Sequence, residues 1–240
     1  MKPIEEVTMR YIFIGGAHKS GSTLLGRVLG QSSNISAFEC TGAPMDEGQW
    51  LQNVLIKDIH VGELLFGLSE ESHLTEGDLI KSGIDSELLS CWKQFWDTNC
   101  EYLLEKSPIN VLRTRFLQSI FPDSTFLITI RDPRTSYMAA KKTIPHISVK
   151  TYFKNWHSIY SAFKEDSKYL KSYAVIHYES LIKNPKEVLQ YIKNTFGSEI
   201  DFQAVNCVCP SVDIEYLNAW NSQYKGEYNL PTLYGYEGEK

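Results

Sequence analysis

Short apolar runs alternate with amphipathic segments along this chain of 240 residues. Runs rich in Ile, Val, Leu, Phe and Tyr, each of strand length, lie at 11–15, 35–39, 101–105, 125–131 and 173–178. Apolar residues recur at helical spacing over 109–120, 149–163 and 188–196, and Asn184-Pro185 marks the start of the last helix. This alternation predicts an α/β fold in three layers, with a central parallel sheet flanked by helices.

The length fits one domain, and we predict a single domain over residues 1–240. Residues 58–90 are less regular and contain four glycines among acidic residues. We predict that they form an excursion of loops and short helices over the functional site, although an ordinary surface segment has the same composition. Parallel sheets bind ligands at the carboxyl ends of their strands, so we expect the functional residues to lie at that edge.

The charge and the cysteines narrow the possible partners. The net charge of -5 argues against broad nucleic-acid binding, which requires a basic surface. No apolar stretch approaches the ~18–20 residues of a membrane span, and the N-terminus is too polar for a signal peptide. The five cysteines include no C-x-x-C pair for zinc, so reduced thiols are the simplest interpretation. We expect a cytoplasmic protein with no membrane span, no bound metal and no nucleic-acid partner.

Residues 11–29 form a strand, a glycine loop and a helix, the arrangement by which proteins hold phosphate groups. Gly16 and Gly21 have the spacing of the nucleotide-kinase pattern G-x-x-x-x-G-K-[ST], which predicts a P-loop-like domain. Ser22 stands where that pattern has lysine, and the cation lies upstream at Lys19. The loop therefore predicts an anion site, although a plain turn before a helix is the alternative.

A second candidate for anion binding is Arg131, at the end of the strand 125–131. Pro133 suits the first turn of a following helix, so this arginine is expected at the same edge of the sheet as the loop. Its guanidinium group can make a forked contact with a phosphate. An ion pair with Asp132 or another carboxylate is the alternative.

Several segments resemble sulfotransferases that use 3′-phosphoadenosine 5′-phosphosulfate (PAPS) without magnesium. The K-S-G-S-T loop at 19–23 resembles their 5′-phosphosulfate loop. Residues 101–142 resemble the corresponding part of tyrosylprotein and heparan-type sulfotransferases. The shared features are a lysine after a strand, a helix ending in F-P-x-[SA], an apolar strand and the sequence R-[DN]-[PG]. Residues 174–197 resemble the family's strand ending in Y-E-x-L, with a helix after N-P. The resemblance implies a PAPS-dependent sulfotransferase whose product is adenosine 3′,5′-bisphosphate.

The resemblance also implies which residues bind the donor. It assigns the 3′-phosphate to Arg131 and a nucleotide contact to Tyr178, although an aromatic ring packed under the sheet edge is equally consistent with Tyr178. Ala139 departs from the family, which has a serine there on the 3′-phosphate, and Ser136 one turn earlier is a possible substitute. Lys225-Gly226 is a weak remnant of a basic loop. The 5′-phosphosulfate is assigned to Lys19, Ser20, Gly21, Ser22 and Thr23.

The predicted catalytic residues are Glu47, Lys19 and Lys106. Both lysines match family residues that lie at the transferred group. Glu47 matches the glutamate of the heparan-type segment E-E-x-Q-F-F, and we predict that it is the base. A helix starting near Asp46 would put Glu47 in its first turn. The alternative role of an acidic residue at that position is a favourable interaction with the helix dipole. Glu39 is the alternative base, and His73 a more distant one. The tryptophans at 50, 92 and 96 are candidates for an acceptor pocket or for the core.

The acceptor is predicted only by chemical class, as a small molecule, lipid or glycan with a hydroxyl or amine. Two other functions remain open from the sequence. One is a magnesium-dependent nucleotide phosphotransferase, against which the missing lysine at position 22 speaks. The other is a catalytically degenerate nucleotide-binding module.

Overall fold

The computed structural model describes residues 9–78, 83–196 and 211–236, apart from 225, 227, 230 and 232. Within these residues a five-stranded parallel sheet has the strand order β2-β3-β1-β4-β5. The predicted parallel sheet is therefore confirmed, and each predicted run overlaps one strand. The strands are β1 (Arg10–Gly16), β2 (Ile35–Ala37), β3 (Tyr102–Lys106), β4 (Ser124–Ile130) and β5 (Tyr173–His177).

Helices connect the strands and cover both faces of the sheet. The proline at 133 lies in the first turn of α4, and the Asp132 side chain accepts a hydrogen bond from the Arg134 N–H as its cap. The helices in the described residues are α1 (Ser22–Leu29), α2 (Ile84–Lys93), α3 (Thr114–Ile120), α4 (Pro133–Lys141), α5 (Val149–Asp166), α6 (Tyr178–Lys183), α7 (Pro185–Phe196) and α8 (Ser211–Tyr224).

Two apolar cores lie on opposite faces of the sheet, as alternation along β1 requires. Phe13 faces the larger core, which includes Trp156 of α5. Ile12 and Ile14 face the smaller core, which includes Leu25 of α1. Burying each such side chain contributes about 1.5–3 kcal/mol, so both faces stabilise the sheet and the three-layer prediction is confirmed.

The helix predicted to start near Asp46 is wrong. Two 3-10 turns, Pro44–Asp46 and Gly48–Trp50, flank Glu47, whose backbone is extended with φ -84° and ψ 128°. The Gly48 N–H donates to the side chain of Glu105 at 3.0 Å, and the Gln49 N–H donates to Ser107 at 3.0 Å. Since the side chains of Glu105 in β3 and of Ser107 directly after it accept these hydrogen bonds, the segment docks on the sheet instead of forming a helix.

Three other boundaries differ from the sequence patterns. The apolar periodicity over 109–120 divides at Arg113 into a 3-10 turn, Pro108–Leu112, and α3. Tyr178 begins α6 instead of ending β5, and Glu39 follows β2 by two residues.

Residues 58–78 form 3-10 turns, Asp58–Val61, Glu63–Leu68, Glu70–Ser72 and Glu76–Asp78. Asn155 of α5, which is fully buried, holds this segment against the larger core. Its side chain accepts a hydrogen bond from the Gly67 N–H at 2.9 Å and donates to the Leu64 carbonyl at 3.1 Å.

Candidate active site

Side chains of β4 and α5 anchor the loop between β1 and α1 through hydrogen bonds. The Ser20 and Thr129 hydroxyl groups are hydrogen bonded at 2.7 Å, and the Ala17 N–H donates to the Tyr160 hydroxyl at 3.0 Å. Lys19 has a φ of 68°, and its side chain is exposed. The anchored backbone therefore holds Lys19 at the surface of the loop, whereas the Ser20 side chain points into the protein.

Tyr178 packs directly against the loop. A Cβ atom at Gly21, where φ is 96°, would lie 2.4 Å from Cδ2 of the Tyr178 ring. Glycine is therefore required at position 21 for both its backbone conformation and the space available. Arg131 also adjoins the Tyr178 ring, and its guanidinium carbon lies 4.4 Å from the ring centroid.

Arg131 lies at the same edge as the loop, as predicted. Its Nη1 donates to the Lys19 carbonyl at 3.0 Å, and its Nη2 donates to Asp213 of α8. Its Nε is buried and has no hydrogen-bond partner among the described residues. The guanidinium group thus ties the loop to α8 and keeps one buried donor unpaired among the described residues.

Together these residues border a cavity of about 420 Å³, here called the loop cavity. All the predicted binding residues except Ser20 line it, and so does the predicted base. The lining residues are His18, Lys19, Gly21, Ser22, Thr23, Leu24, Met45, Glu47, Pro108, Arg131, Tyr178 and Ile182.

Lys106 connects the loop to the predicted base. Its Nζ donates to the Thr23 hydroxyl at 3.2 Å, the Met45 carbonyl at 2.9 Å and Oε1 of Glu47 at 3.0 Å. Lys106 and Glu47 are only 5% and 6% exposed, so their charges neutralise each other away from water. A buried pair of this kind is costly to break, because either partner alone is left as an uncompensated charge.

A chain of hydrogen bonds leads from Glu47 to His18. The Gln49 amide donates to Glu47 and to Asp58, at 2.7 Å in each case, and Asp58 is 2.8 Å from Nε2 of His18. Burial opposes ionisation of Asp58, but hydrogen bonds from His18 and Gln49 outweigh it and hold its pKa below the usual range. Sequence reasoning missed this chain, because Asp58 lies in an irregular segment with no pattern to single it out.

Glu105 lies beneath this network and is fully buried. Its carboxyl group accepts hydrogen bonds from the Gly48 N–H at 3.0 Å, from the Ser107 hydroxyl at 2.5 Å and from the Asn110 amide. Burial raises the pKa of Glu105 to about 7, although Ser107, Asn110 and Lys106 favour its charged form. Through the Gly48 N–H, Glu105 anchors the segment of two 3-10 turns that carries the predicted base.

A second, smaller cavity of about 220 Å³ adjoins the first and is here called the side cavity. Glu39, the alternative base, lies on its wall together with Lys106. Thr23 and Met45 line both cavities. The side cavity is lined by Thr23, Gly26, Arg27, Ala37, Phe38, Glu39, Cys40, Met45, Asp46, Leu104 and Lys106.

The remaining predicted residues lie outside both cavities. His73 pairs with Asp166 at 2.7 Å, and this hydrogen bond raises the pKa of His73. Ser136 is buried and accepts a hydrogen bond from the Tyr152 hydroxyl at 2.9 Å, so its hydroxyl group is hydrogen bonded inside the core.

The tryptophans lie outside both cavities too. Trp92 and Trp96 are buried in the core, where their indole N–H groups donate to the Gly48 and Leu104 carbonyls. The ring of Trp50 contacts Lys57, with Nζ 5.8 Å from its centroid. The suggested basic residue at 225 lies outside the described residues.

The described part of the chain contains neither a candidate membrane-spanning helix nor a candidate metal-binding cluster. No helix there is long and apolar enough to cross a membrane. Nor do its His, Cys, Asp and Glu side chains gather in any group of three that could hold a metal ion.

Comparison with known proteins identifies the class of protein that this fold and site define. The model of the sulfotransferase family matches residues 11–202. The chain therefore belongs to the sulfotransferase family. A sequence search against curated proteins finds no significant match.

Solved structures with the same fold include bacterial sulfotransferases and biosynthetic sulfotransferase domains. Sulfotransferase STF1 from Mycobacterium tuberculosis H37Rv is 14% identical with a TM-score of 0.57, over 88% of this chain and 71% of that one. The sulfotransferase domain of the curacin biosynthetic pathway is 17% identical with a TM-score of 0.53, over 85% and 82%. The enzyme from Alicyclobacillus acidocaldarius is 16% identical with a TM-score of 0.52, over 89% and 91%. At these identities the similarity supports the fold alone.

Proposed function

We propose that this protein transfers a sulfuryl group from PAPS to a hydroxyl or amine of a small-molecule, lipid or glycan acceptor, without a metal ion. Membership of the sulfotransferase family supports the reaction class. The observation that carries the proposal is the position of Lys106, whose ammonium group bonds both Thr23 of the loop and Glu47. Lys106 therefore links the residues proposed to bind the anionic donor to the carboxylate proposed to accept a proton.

The loop residues fit the phosphosulfate end of the donor. Gly21, Ser22 and Thr23 form the N-terminus of the eight-residue helix α1, where the helix dipole and backbone N–H groups favour an anion. The ammonium group of Lys19 is exposed at the same loop. The sulfuryl group carries less charge than a phosphoryl dianion, so we propose that lysines take the place of a metal.

Arg131 is the proposed ligand of the 3′-phosphate. Its buried Nε has no partner among the described residues, so a donor is available for a phosphate oxygen. Asp213 accepts from the same guanidinium group, and we expect the phosphate to share or displace this carboxylate. Tyr178, which packs beneath the guanidinium group, is proposed to contact the nucleotide.

Glu47 is the proposed base. The acceptor oxygen forms its bond to sulfur as the bond from sulfur to the bridging oxygen breaks. The electron pair of that bond leaves with the bisphosphate, and the acceptor proton passes to Glu47. Lys19 and Lys106 are proposed to stabilise the charge that develops on the transferred group and the leaving oxygen. The hydrogen bonds of Glu47 to Lys106 and Gln49 fix its orientation.

Calorimetric titration without metal tests the donor class. Adenosine 3′,5′-bisphosphate should bind with a micromolar dissociation constant, and ATP should bind much more weakly. Arg131→Ala should weaken bisphosphate binding by roughly tenfold to a hundredfold, because a charge-assisted hydrogen bond contributes about 1.5–3 kcal/mol. Preference for ATP with Mg²⁺ would contradict the proposal, and binding of neither nucleotide would favour a degenerate module.

Glu47→Gln tests the base, and bisphosphate binding by the same variant reports whether the donor site that Glu47 borders is intact. Loss of a general base should lower turnover by roughly 10²- to 10⁴-fold while bisphosphate binding is kept. Glu39→Gln tests the alternative base, and its turnover at saturating acceptor should not fall by this much. Full turnover of Glu47→Gln would show that another group accepts the proton.

A further inference from the structure

The side cavity is a separate space that opens onto the point where the loop and the proposed base meet. Lys106 lies on its wall, and Thr23 and Met45 belong to both cavities. The ammonium group of Lys106 bonds the Thr23 hydroxyl, the Met45 carbonyl and Glu47. A molecule in the side cavity therefore has its inner end at the border where the loop, Lys106 and Glu47 come together.

The size of the side cavity limits what it can hold. Its volume is about 220 Å³, and a cavity of about 150 Å³ in another protein accommodates benzene. The inner wall is apolar, with Ala37, Phe38 and Leu104. The space therefore suits one substituted ring better than a chain of sugars or a long acyl group.

The charges on the wall of the side cavity favour a cation. Lys106 is neutralised by its ion pair with Glu47, which leaves one cationic residue on the wall, Arg27, and two carboxylates, Glu39 and Asp46. Burial opposes ionisation of Asp46, but hydrogen bonds from the Thr41 hydroxyl and backbone outweigh it and keep its pKa below the usual range. Glu39 is exposed, and no ion pair or hydrogen bond of its side chain occurs within the described ranges. The wall thus carries an excess of one negative charge.

We propose that the side cavity binds the acceptor, and that this acceptor is a small hydroxyl compound, about one ring in size, carrying an ammonium group that Glu39 recognises. The proposal rests on the proposed function, because it takes the loop cavity as the donor site. The two cavities then have complementary chemistry: Lys19 and Arg131 face the anionic donor, and the carboxylates face the cationic acceptor.

Cys40 provides a reporter of binding that does not depend on turnover. It lies on the wall of the side cavity and is an exposed free thiol. Alkylation of Cys40 by iodoacetamide, followed by peptide mapping, measures occupancy of the cavity, and Cys91 in α2 serves as an internal reference. Three para-substituted phenols of nearly equal size serve as probes: tyramine is a cation, 4-ethylphenol is neutral and 4-hydroxyphenylacetate is an anion.

The intact protein is assayed with and without adenosine 3′,5′-bisphosphate. Tyramine should protect Cys40 at a concentration roughly tenfold lower than 4-ethylphenol, and 4-hydroxyphenylacetate should protect least. Glu39→Gln should remove the advantage of tyramine and leave protection by 4-ethylphenol unchanged. Glu70→Gln, an exposed carboxylate outside both cavities, is the matched control and should behave like the unchanged protein.

Equal protection by the three phenols, no protection by any of them, or an unaltered tyramine advantage in Glu39→Gln would overturn the inference. If the bisphosphate binds and no phenol protects Cys40, the inference fails while the proposed function stands. If tyramine protects Cys40 but the bisphosphate does not bind, the proposed function fails, and the acceptor role of the cavity fails with it.

Discussion

Replacing Glu105 by glutamine should make the stability of this protein less dependent on pH. Glu105 is fully buried beneath the proposed base, and its carboxyl group accepts hydrogen bonds from Gly48, Ser107 and Asn110. Glutamine has nearly the same shape but cannot ionise. Comparison of the two proteins therefore isolates the cost of charging this one buried group.

The size of the effect follows from the pKa of Glu105, which burial raises from 4.5 to about 7. The pKa of this carboxyl group is higher in the folded state than in the unfolded state. Its contribution to stability is therefore fully present below the unfolded-state pKa and is lost as the pH rises through the folded-state pKa. Between about pH 5 and pH 8.5 the loss is roughly 2.5 kcal/mol. The charges around Glu105 include Lys106, Arg113 and Glu47, and none of them is changed by the substitution.

Urea unfolding of both proteins across this pH range provides the measurement. The free energy of unfolding of the unchanged protein should fall relative to that of Glu105→Gln by roughly 2.5 kcal/mol as the pH rises. Other titrating groups cancel in the difference. Glu101→Gln, which removes a half-buried carboxylate just before β3 that pairs with Arg10, should show no such trend. If the two free energies run parallel across the range, the raised pKa is refuted.

Two further predictions concern the loop and the 58–78 segment. Gly21→Ala should destabilise the protein by about 1–3 kcal/mol and weaken bisphosphate binding, because its Cβ would lie 2.4 Å from Tyr178 at a strained φ. Gly42→Ala, where φ is also positive but nothing lies within 4 Å, is the control for strain alone and should keep bisphosphate binding. Asn155→Ala should lower the free energy of unfolding by about 2–3 kcal/mol, because Gly67 loses a buried hydrogen-bond partner.

Urea unfolding and calorimetry check both predictions. Equal losses in Gly21→Ala and Gly42→Ala would show that contact with Tyr178 contributes nothing. An Asn155→Ala protein as stable as the unchanged one would mean that water replaces the lost hydrogen bonds.

The sequence by itself predicted the strands, most of the helices and the two proposed anion-binding positions. Alternating apolar runs specify the parallel sheet, because a strand buried on both faces must be apolar along its length. The glycines and the cation at 16–21 specify the loop, since only a few residue types tolerate its backbone. Arg131 could be placed at the same edge because parallel strands end together.

Only the tertiary structure decided how the other charged groups are paired. The predicted helix at Glu47 is absent, because Glu105 and Ser107, more than 50 residues away in the chain, accept the N–H hydrogen bonds of that segment. The Lys106–Glu47 pair and the link through Gln49 to Asp58 are likewise contacts between distant segments. Local periodicity reports which face of an element is buried, whereas the partner of a buried charge is fixed only when the segments pack together.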